Sequence, residues 1–173
     1  MKIFLLGFMG SGKSHVGKQL AERIGVDFID LDHWIEEQEG ESIAHIFKTK
    51  GEIAFRERER DALHEMAAKE NMVIACGGGT PCFFDNMEWM NQQGITIYLE
   101  TPVEILAQRL IPQQAQRPLL QNLNEPELQH FITLKLAERK PFYEQAQVIY
   151  QVTAAEEAVT DTLFHQFKNI IGH

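Results

Sequence analysis

Cysteine is scarce in this chain. The 173 residues include only Cys76 and Cys82, which have five residues between them. Two cysteines make no disulfide framework of the kind that small secreted domains use, and this spacing fits no common zinc pattern. Long apolar runs are also missing: nothing approaches the ~20 consecutive apolar residues that a transmembrane helix needs, and the apolar stretch after Lys2 is too short for a signal peptide. We therefore expect reduced thiols, no membrane partner and a cytoplasmic protein.

Positive charge is in deficit as well. The chain has 16 lysines and arginines against 25 aspartates and glutamates, for a net charge of −9. A general attraction to nucleic acid or to an anionic membrane is therefore not expected, and an anionic ligand needs a local cluster of positive groups. The hydrophobic content of 44% over this length is enough for one domain with a substantial core.

The most informative stretch is a glycine-rich loop. Residues 7–14 read Gly-Phe-Met-Gly-Ser-Gly-Lys-Ser, which has the form G-x-x-x-x-G-K-[ST] of nucleoside-triphosphate-binding loops. Glycines allow close approach of backbone N–H groups to a phosphate, Lys13 is expected to reach the β- and γ-phosphates, and the Ser14 hydroxyl is expected to ligate Mg²⁺. The alternative is a chance run of glycines at a turn. An apolar run before the loop and a helical pattern after it favour phosphate binding.

Short apolar stretches alternate with helical patterns along the chain. The predicted strands are Lys2–Leu6, 27–29, Met72–Ala75, 95–99 and 148–150. The predicted helices are 14–24, 32–38, 51–70, 83–92, 102–110, 126–145 and 155–169. Such alternation predicts an α/β protein with a parallel sheet covered on both faces.

Residues 111–126 form a stretch with several prolines and amides but no convincing period. Long loops without regular structure are usually functional lids or disordered segments. Beside a phosphate loop, we favour a lid.

Two carboxylates follow the second predicted strand. Asp30 and Asp32 flank Leu31, and on an extended chain their side chains share one face at the carboxyl edge of the sheet, where α/β proteins bind ligands. One carboxylate is suited to hold Mg²⁺ through water, and the other to accept a proton or hydrogen bond from a hydroxyl substrate. The alternative is that Asp32 merely caps the helix beginning at His33.

Three glycines, Gly77, Gly78 and Gly79, follow the third predicted strand. They permit close approach of the backbone to a small ligand. A plain turn is the alternative, but the position at the carboxyl edge favours a ligand.

For several arginines, the spacing in the sequence does not distinguish a surface position from a ligand-binding one. Arg56 lies four residues after Glu52, a pair typical of a solvated helix face, and this reading is favoured from spacing alone. Arg139 is equally ambiguous. Arg109 and Arg117 bracket the start of the proposed lid, where an arginine can close over phosphates; otherwise they are ordinary surface residues.

Taken in order, these motifs resemble the shikimate kinase family over most of the chain. After the phosphate loop, the resemblance rests on ordered motifs: Asp30-Leu31-Asp32, Phe55-Arg56 with Glu59, Gly77-Gly78-Gly79, Arg117-Pro118-Leu119-Leu120, and Arg139 with Tyr143. The phosphate loop is common to many families, whereas the ordered set is far more specific. Leu31 between the aspartates and Thr80-Pro81 after the glycines depart from the family's usual residues but leave the essential side chains intact.

The resemblance implies a single P-loop kinase domain over residues 1–173, with three α/β/α layers, a five-stranded parallel sheet in the order 2-3-1-4-5, a substrate-binding region at 31–60 and the lid at 111–126. It implies transfer of the γ-phosphate of MgATP to the 3-hydroxyl of shikimate by a monomer. Lys13, Asp32 and Arg117 would be catalytic, and Ser14 and Asp30 would organise Mg²⁺. The implied ATP-binding residues are Gly10, Ser11, Gly12, Lys13, Ser14, His15, Arg109 and Arg117. The implied substrate-binding residues are Asp32, Arg56, Gly77, Gly78, Gly79 and Arg139.

Two alternatives stay open. Another small-molecule P-loop kinase, such as a gluconate or nucleotide kinase, shares the architecture, and gluconate is also a hydroxylated carboxylate. A nucleotide-dependent switch without catalysis is the second, but the chain lacks the Asn-Lys-x-Asp motif of GTPases and retains Lys13, Asp32, Arg56 and Arg139.

Overall fold

A parallel β-sheet forms the centre of the protein. The computed structural model describes residues 1–153 and 156–171. Its five strands, ordered β2-β3-β1-β4-β5, are β1 (Lys2–Leu6), β2 (Asp27–Asp30), β3 (Met72–Ala75), β4 (Ile95–Glu100) and β5 (Val148–Gln151). Every neighbouring pair is parallel. The predicted sheet and its order are therefore confirmed.

Helices connect the strands. The described residues contain the α-helices α1 (Lys13–Ile24), α2 (Leu31–Glu39), α3 (Ile43–Glu65), α4 (Asn86–Gln93), α5 (Val103–Leu110), α6 (Glu125–Tyr143) and α7 (Glu156–Ile171). Short 3₁₀ turns occur at Met66–Ala68, Thr80–Cys82, Ile111–Gln116 and Pro118–Leu120. None of the helices in this part of the chain has the length and apolar character needed to cross a bilayer.

Apolar side chains fill both faces of the sheet. Phe4 and Leu6 of β1 belong to the cluster beneath α2, α3 and α4, whereas Ile3 and Leu5 belong to the cluster beneath α1 and α7. Successive strand residues point to opposite faces, so β1 is apolar throughout because both faces are covered. The three-layer α/β/α architecture is therefore confirmed.

Two helices begin at positions other than those predicted from the sequence. The helix expected at 51–70 starts at Ile43 and passes through Gly51, whose φ of 85° and ψ of 171° are non-helical. Glycine adopts such angles without the penalty that a Cβ brings, so two helical segments meet there. The helix expected at 83–92 starts only at Asn86, because a 3₁₀ turn and Phe84, with φ of 52°, precede it. The first residue of the helix expected at 155–169 lies outside the described residues.

The stretch at 111–126 is less irregular than predicted. It contains two 3₁₀ turns, and the Gln114 side-chain amide donates to the carbonyls of Leu120 at 3.2 Å and Leu123 at 2.8 Å. Leu120 is buried with side chains of α5 and α6. A 3₁₀ turn is too short to produce an apolar period in the sequence, which is why the stretch resembled a loop.

Candidate active site

The glycine-rich loop joins β1 to α1 at the carboxyl edge of the sheet. Gly10 and Gly12 have backbone φ angles of 84° and 91°, values that residues with a Cβ rarely adopt. Gly12 occupies the N-cap of α1. Because a glycine offers no capping side chain, the first N–H groups of α1 remain available to an anion, which the helix dipole also favours.

Lys13 folds back over this loop. Its Nζ donates to the carbonyl oxygens of Gly7 at 2.8 Å and Phe8 at 3.0 Å. Withdrawal of the ammonium from water lowers the pKa of Lys13 to about 8, against the opposing attraction of Asp32. Its cationic end thus lies beside the loop and within the field of a carboxylate.

Asp30 caps α2, the role that the sequence suggested as an alternative for Asp32. The Asp30 carboxylate accepts the His33 N–H at 3.2 Å, at the N-cap of α2, and also accepts the Ser14 hydroxyl. A carboxylate and a hydroxyl side by side at a phosphate loop form a set of oxygen donors that Mg²⁺ prefers. The described residues contain no group of three or more His, Cys, Asp or Glu suited to a metal.

Asp32 lies in the first turn of α2 and not on an extended strand. The prediction that Asp30 and Asp32 share a face of a strand was therefore wrong, although both line one cavity. Burial, followed by repulsion from Glu59 and Asp30, raises the pKa of Asp32 to about 7, and attraction to Lys13 and Arg56 opposes this shift. A carboxyl group with such a pKa is suited to exchange a proton near neutral pH.

The three glycines each leave room for one charged side chain. A Cβ at Gly77 would lie 2.8 Å from Asp32 Oδ1, one at Gly78 would lie 2.9 Å from Arg139 Nη1, and one at Gly79 would lie 2.6 Å from both terminal nitrogens of Arg56. Gly79 has an ordinary φ of −93°. Space, and not an unusual backbone conformation, thus requires glycine here. The turn brings Asp32, Arg139 and Arg56 together from three distant parts of the chain.

Arg56 is not on a solvated helix face. It is 8% exposed and its Nη1 donates to Glu59 Oε1 at 2.9 Å, whereas Glu52 lies 3.5 Å from Nε and makes no hydrogen bond with it. The guanidinium carbon also lies 4.1 Å from the ring centre of Phe83. The predicted i,i+4 ion pair of Arg56 with Glu52 is therefore present, but the prediction of a solvated helix face for Arg56 was wrong.

Glu59 is the site residue whose contacts the sequence analysis did not anticipate. It is 1% exposed and accepts hydrogen bonds from both Arg56 and Thr80. The only signal was its place in the Phe55-Arg56-x-x-Glu59 motif, where a spacing of three residues puts Arg56 and Glu59 on one helix face.

Arg139 approaches the glycine turn from α6. Its guanidinium carbon lies 5.5 Å from the ring centre of Phe8 in the phosphate loop. One helical turn later, the Tyr143 hydroxyl donates to the carbonyl of Gly78. The C-terminal part of α6 is thus fastened to the glycine turn.

Two further arginines flank the phosphate loop. Arg109 Nη1 donates to the carbonyl of Gly10 at 3.1 Å. Arg117 Nε and Nη2 contact Gln113 Oε1 at 3.3 and 3.1 Å. Both arginines line the same cavity as Lys13.

A cavity of about 550 Å³ extends from the phosphate loop to Asp32 and the first two glycines of the turn. Its walls include Gly10, Gly12, Lys13, Ser14, His15, Asp30, Asp32, Gly77, Gly78, Arg109 and Arg117. Ser11 is buried outside this wall, and its N–H is used in a turn with Phe8. Gly79, Arg56 and Arg139 are also not part of the wall; the two arginines pack against the glycine turn that bounds one end of the cavity.

A phosphate loop at one end of a cavity, with carboxylates and arginines around a glycine turn at the other, defines a small-molecule kinase of the P-loop class. The family model described as "Shikimate kinase" matches residues 9–168. The chain is 45% identical over 170 residues to the shikimate kinase of Parabacteroides distasonis, covering 98% of this chain and 96% of that protein. The chain belongs to the shikimate kinase family.

Solved structures agree with this assignment. The crystal structure of the shikimate kinase from Bacteroides thetaiotaomicron matches with a TM-score of 0.91 at 43% identity, covering 97% of this chain and 98% of that one. Shikimate kinase from Acinetobacter baumannii in complex with shikimate matches with a TM-score of 0.84 at 36% identity, covering 97% and 93%. The family predicted from the ordered motifs is confirmed, and the protein is an ATP-dependent kinase.

Proposed function

We propose that the protein transfers the γ-phosphate of ATP to the 3-hydroxyl of shikimate, giving shikimate 3-phosphate and ADP. The observation that carries this proposal is the glycine turn, where Asp32, Arg139 and Arg56 each occupy the space that a Cβ would fill. A small acid with several hydroxyls needs this combination of arginines and a carboxylate. The related kinase from Acinetobacter baumannii, solved in complex with shikimate, supports the choice of acid.

Arg56 and Arg139 bind the substrate carboxylate in this proposal. Guanidinium groups offer paired N–H donors that match the geometry of a carboxylate, and they capture an anion that the net charge of −9 would otherwise repel. Backbone groups of Gly77, Gly78 and Gly79 contact the ring. Asp32 binds the ring hydroxyls and accepts the proton, or the hydrogen bond, of the reacting one.

The phosphate loop binds ATP. N–H groups of Gly10, Gly12, Lys13 and Ser14 surround the phosphates, with His15 following on α1, and Lys13 neutralises charge on the phosphoryl group during transfer. Arg117 reaches the phosphates from the lid at 111–126, and Arg109 packs on the adenine. Positioning and charge neutralisation supply most of the catalysis in phosphoryl transfer, so these contacts account for the reaction.

Mg²⁺ fits the adjacent oxygens of Ser14 and Asp30. Ser14 would hold the ion directly and Asp30 through water, because the Ser14 hydroxyl already contacts the Asp30 carboxylate. When bound, the ion neutralises charge on the β- and γ-phosphates.

The cysteines bear on where the enzyme works. Cys76 and Cys82 are both free thiols, which supports a reducing compartment such as the cytoplasm. The single domain, the monomeric state and the lack of a nucleic-acid partner stay predictions from the sequence.

A coupled assay of ADP release tests the function. Shikimate, gluconate and nucleoside monophosphates are compared as acceptors at equal concentration, with ATP and Mg²⁺ present. We expect kcat/KM for shikimate to exceed that for gluconate by roughly 10⁴-fold, because the buried polar groups would be left unpaired by an acid of different shape. Clear turnover of gluconate or a nucleotide, with none of shikimate, would contradict the proposal.

A further inference from the structure

Thr80 lies immediately after the glycine turn and has no exposed surface. Its hydroxyl donates to Glu59 Oε2 at 2.7 Å, while the other oxygen of that carboxylate, Oε1, accepts from Arg56 Nη1 at 2.9 Å. Each oxygen of the buried Glu59 carboxylate therefore has one donor. Through Glu59, the Thr80 hydroxyl is connected to the guanidinium group of Arg56.

We propose that Thr80 is a positioning residue for recognition of the acid substrate. Its hydroxyl fixes the Glu59 carboxylate, and Glu59 in turn fixes the guanidinium plane of Arg56. This inference rests on the proposed function, since it concerns how the same site orients its carboxylate-binding arginine.

Orientation, and not charge, is what Glu59 contributes. A carboxylate beside Arg56 offsets its positive charge and so weakens its attraction for an anionic substrate. In exchange, the hydrogen bond to Nη1 and the ring of Phe83, 4.1 Å from the guanidinium carbon, set the plane of the arginine. Without the Thr80 hydroxyl, Glu59 Oε2 would be a buried charged atom lacking a donor. The carboxylate would then turn toward another donor and displace Arg56.

Thr80 is itself held in place by the surrounding structure. The Asn86 side-chain amide, fully buried at the start of α4, donates to the Thr80 carbonyl at 2.9 Å. A Cβ at Gly77 would lie 3.0 Å from the Thr80 hydroxyl and 3.1 Å from Glu59 Oε2. The first glycine of the turn therefore also leaves room for this hydrogen bond.

Removal of the hydroxyl at constant shape tests the inference. Thr80→Val is expected to raise KM for shikimate roughly 10-fold, the size expected for a hydrogen bond to a charged group, with KM for ATP unchanged. Thr80→Ser keeps the hydroxyl and is expected to restore KM for shikimate. Thr80→Ala is a second variant without a hydroxyl, measured in case the valine variant does not fold, and is expected to raise KM likewise.

A double-mutant cycle tests whether Thr80 acts on Arg56 through Glu59. If Thr80 acts through Glu59, combining Thr80→Val with Glu59→Gln should raise KM no further than Glu59→Gln does by itself, because the two residues form one network. Independent, additive effects would overturn the inference.

Thr96→Val is the matched control. Thr96 is equally buried and its hydroxyl donates to Asn91 at 2.6 Å, but it lies near the start of β4, at the opposite end of the sheet. We expect this change to lower the unfolding temperature without altering KM for shikimate.

Wild-type enzyme that does not phosphorylate shikimate would refute the proposed function. A wild-type enzyme that does, with KM unchanged in Thr80→Val or Thr80→Ala, would refute only the role of Thr80.

Discussion

Lys13→Ala is expected to lower kcat for phosphoryl transfer by roughly 10³-fold. The ammonium group of Lys13 lies at the phosphate loop, where its Nζ contacts the carbonyls of Gly7 and Phe8. With ATP in the loop, this charge is available to the transferring phosphoryl group. Its loss removes one protein cation from the developing negative charge. Steady-state kinetics with saturating ATP and shikimate measure the effect.

Two controls separate loss of charge from loss of structure. Lys13→Met keeps most of the apolar stem and should be as inactive as the alanine variant. Lys18→Ala changes an exposed lysine on the same helix and should keep wild-type kcat. A kcat for Lys13→Ala within a few-fold of wild type would show that Lys13 does not act on the transferring group.

Arg139→Ala is expected to raise KM for shikimate by roughly 10- to 100-fold while kcat changes little. The reason is that a contact with the substrate carboxylate is present both before and during phosphoryl transfer, so its removal weakens both states equally. Arg139→Lys keeps the charge but not the paired donors, and an intermediate KM is expected. Initial rates at varied shikimate and fixed, saturating ATP give both constants.

Lys140→Ala is the control for this prediction. Lys140 is the next residue on α6, but its Nζ pairs with Glu100 at 3.1 Å and Glu144 at 3.6 Å, away from the glycine turn. Its removal should leave KM for shikimate unchanged. An unaltered KM in Arg139→Ala, or an equal rise in both variants, would contradict the carboxylate contact.

Features set by local sequence were predictable. The apolar run of β1, the glycines of the loop and the helical spacing after Lys13 all lie within 24 residues of the N-terminus, and the structure has the same elements there. The order of the sheet followed from the family resemblance and was also right. The ordered motifs sufficed for the family because each pairs a fixed spacing with a particular chemistry.

Features set by distant contacts were not predictable. Arg56 shared the spacing of a surface pair with Glu52, and only the packing of α3 against the glycine turn buries it beside Glu59 and Phe83. Thr80 is 21 residues from Glu59 in the chain, so no local pattern indicates their hydrogen bond. Likewise, Asp30 and not Asp32 caps α2, because the helix begins at Leu31, directly after β2, and not at His33.

The central claim is that guanidinium groups meeting at the glycine turn receive the acid substrate. A crystal structure with ADP, Mg²⁺ and shikimate tests it most directly. We expect Arg56 and Arg139 each to have a terminal nitrogen within about 3.2 Å of a carboxylate oxygen of shikimate, with the 3-hydroxyl near Asp32. A shikimate carboxylate bound away from both arginines would contradict the claim.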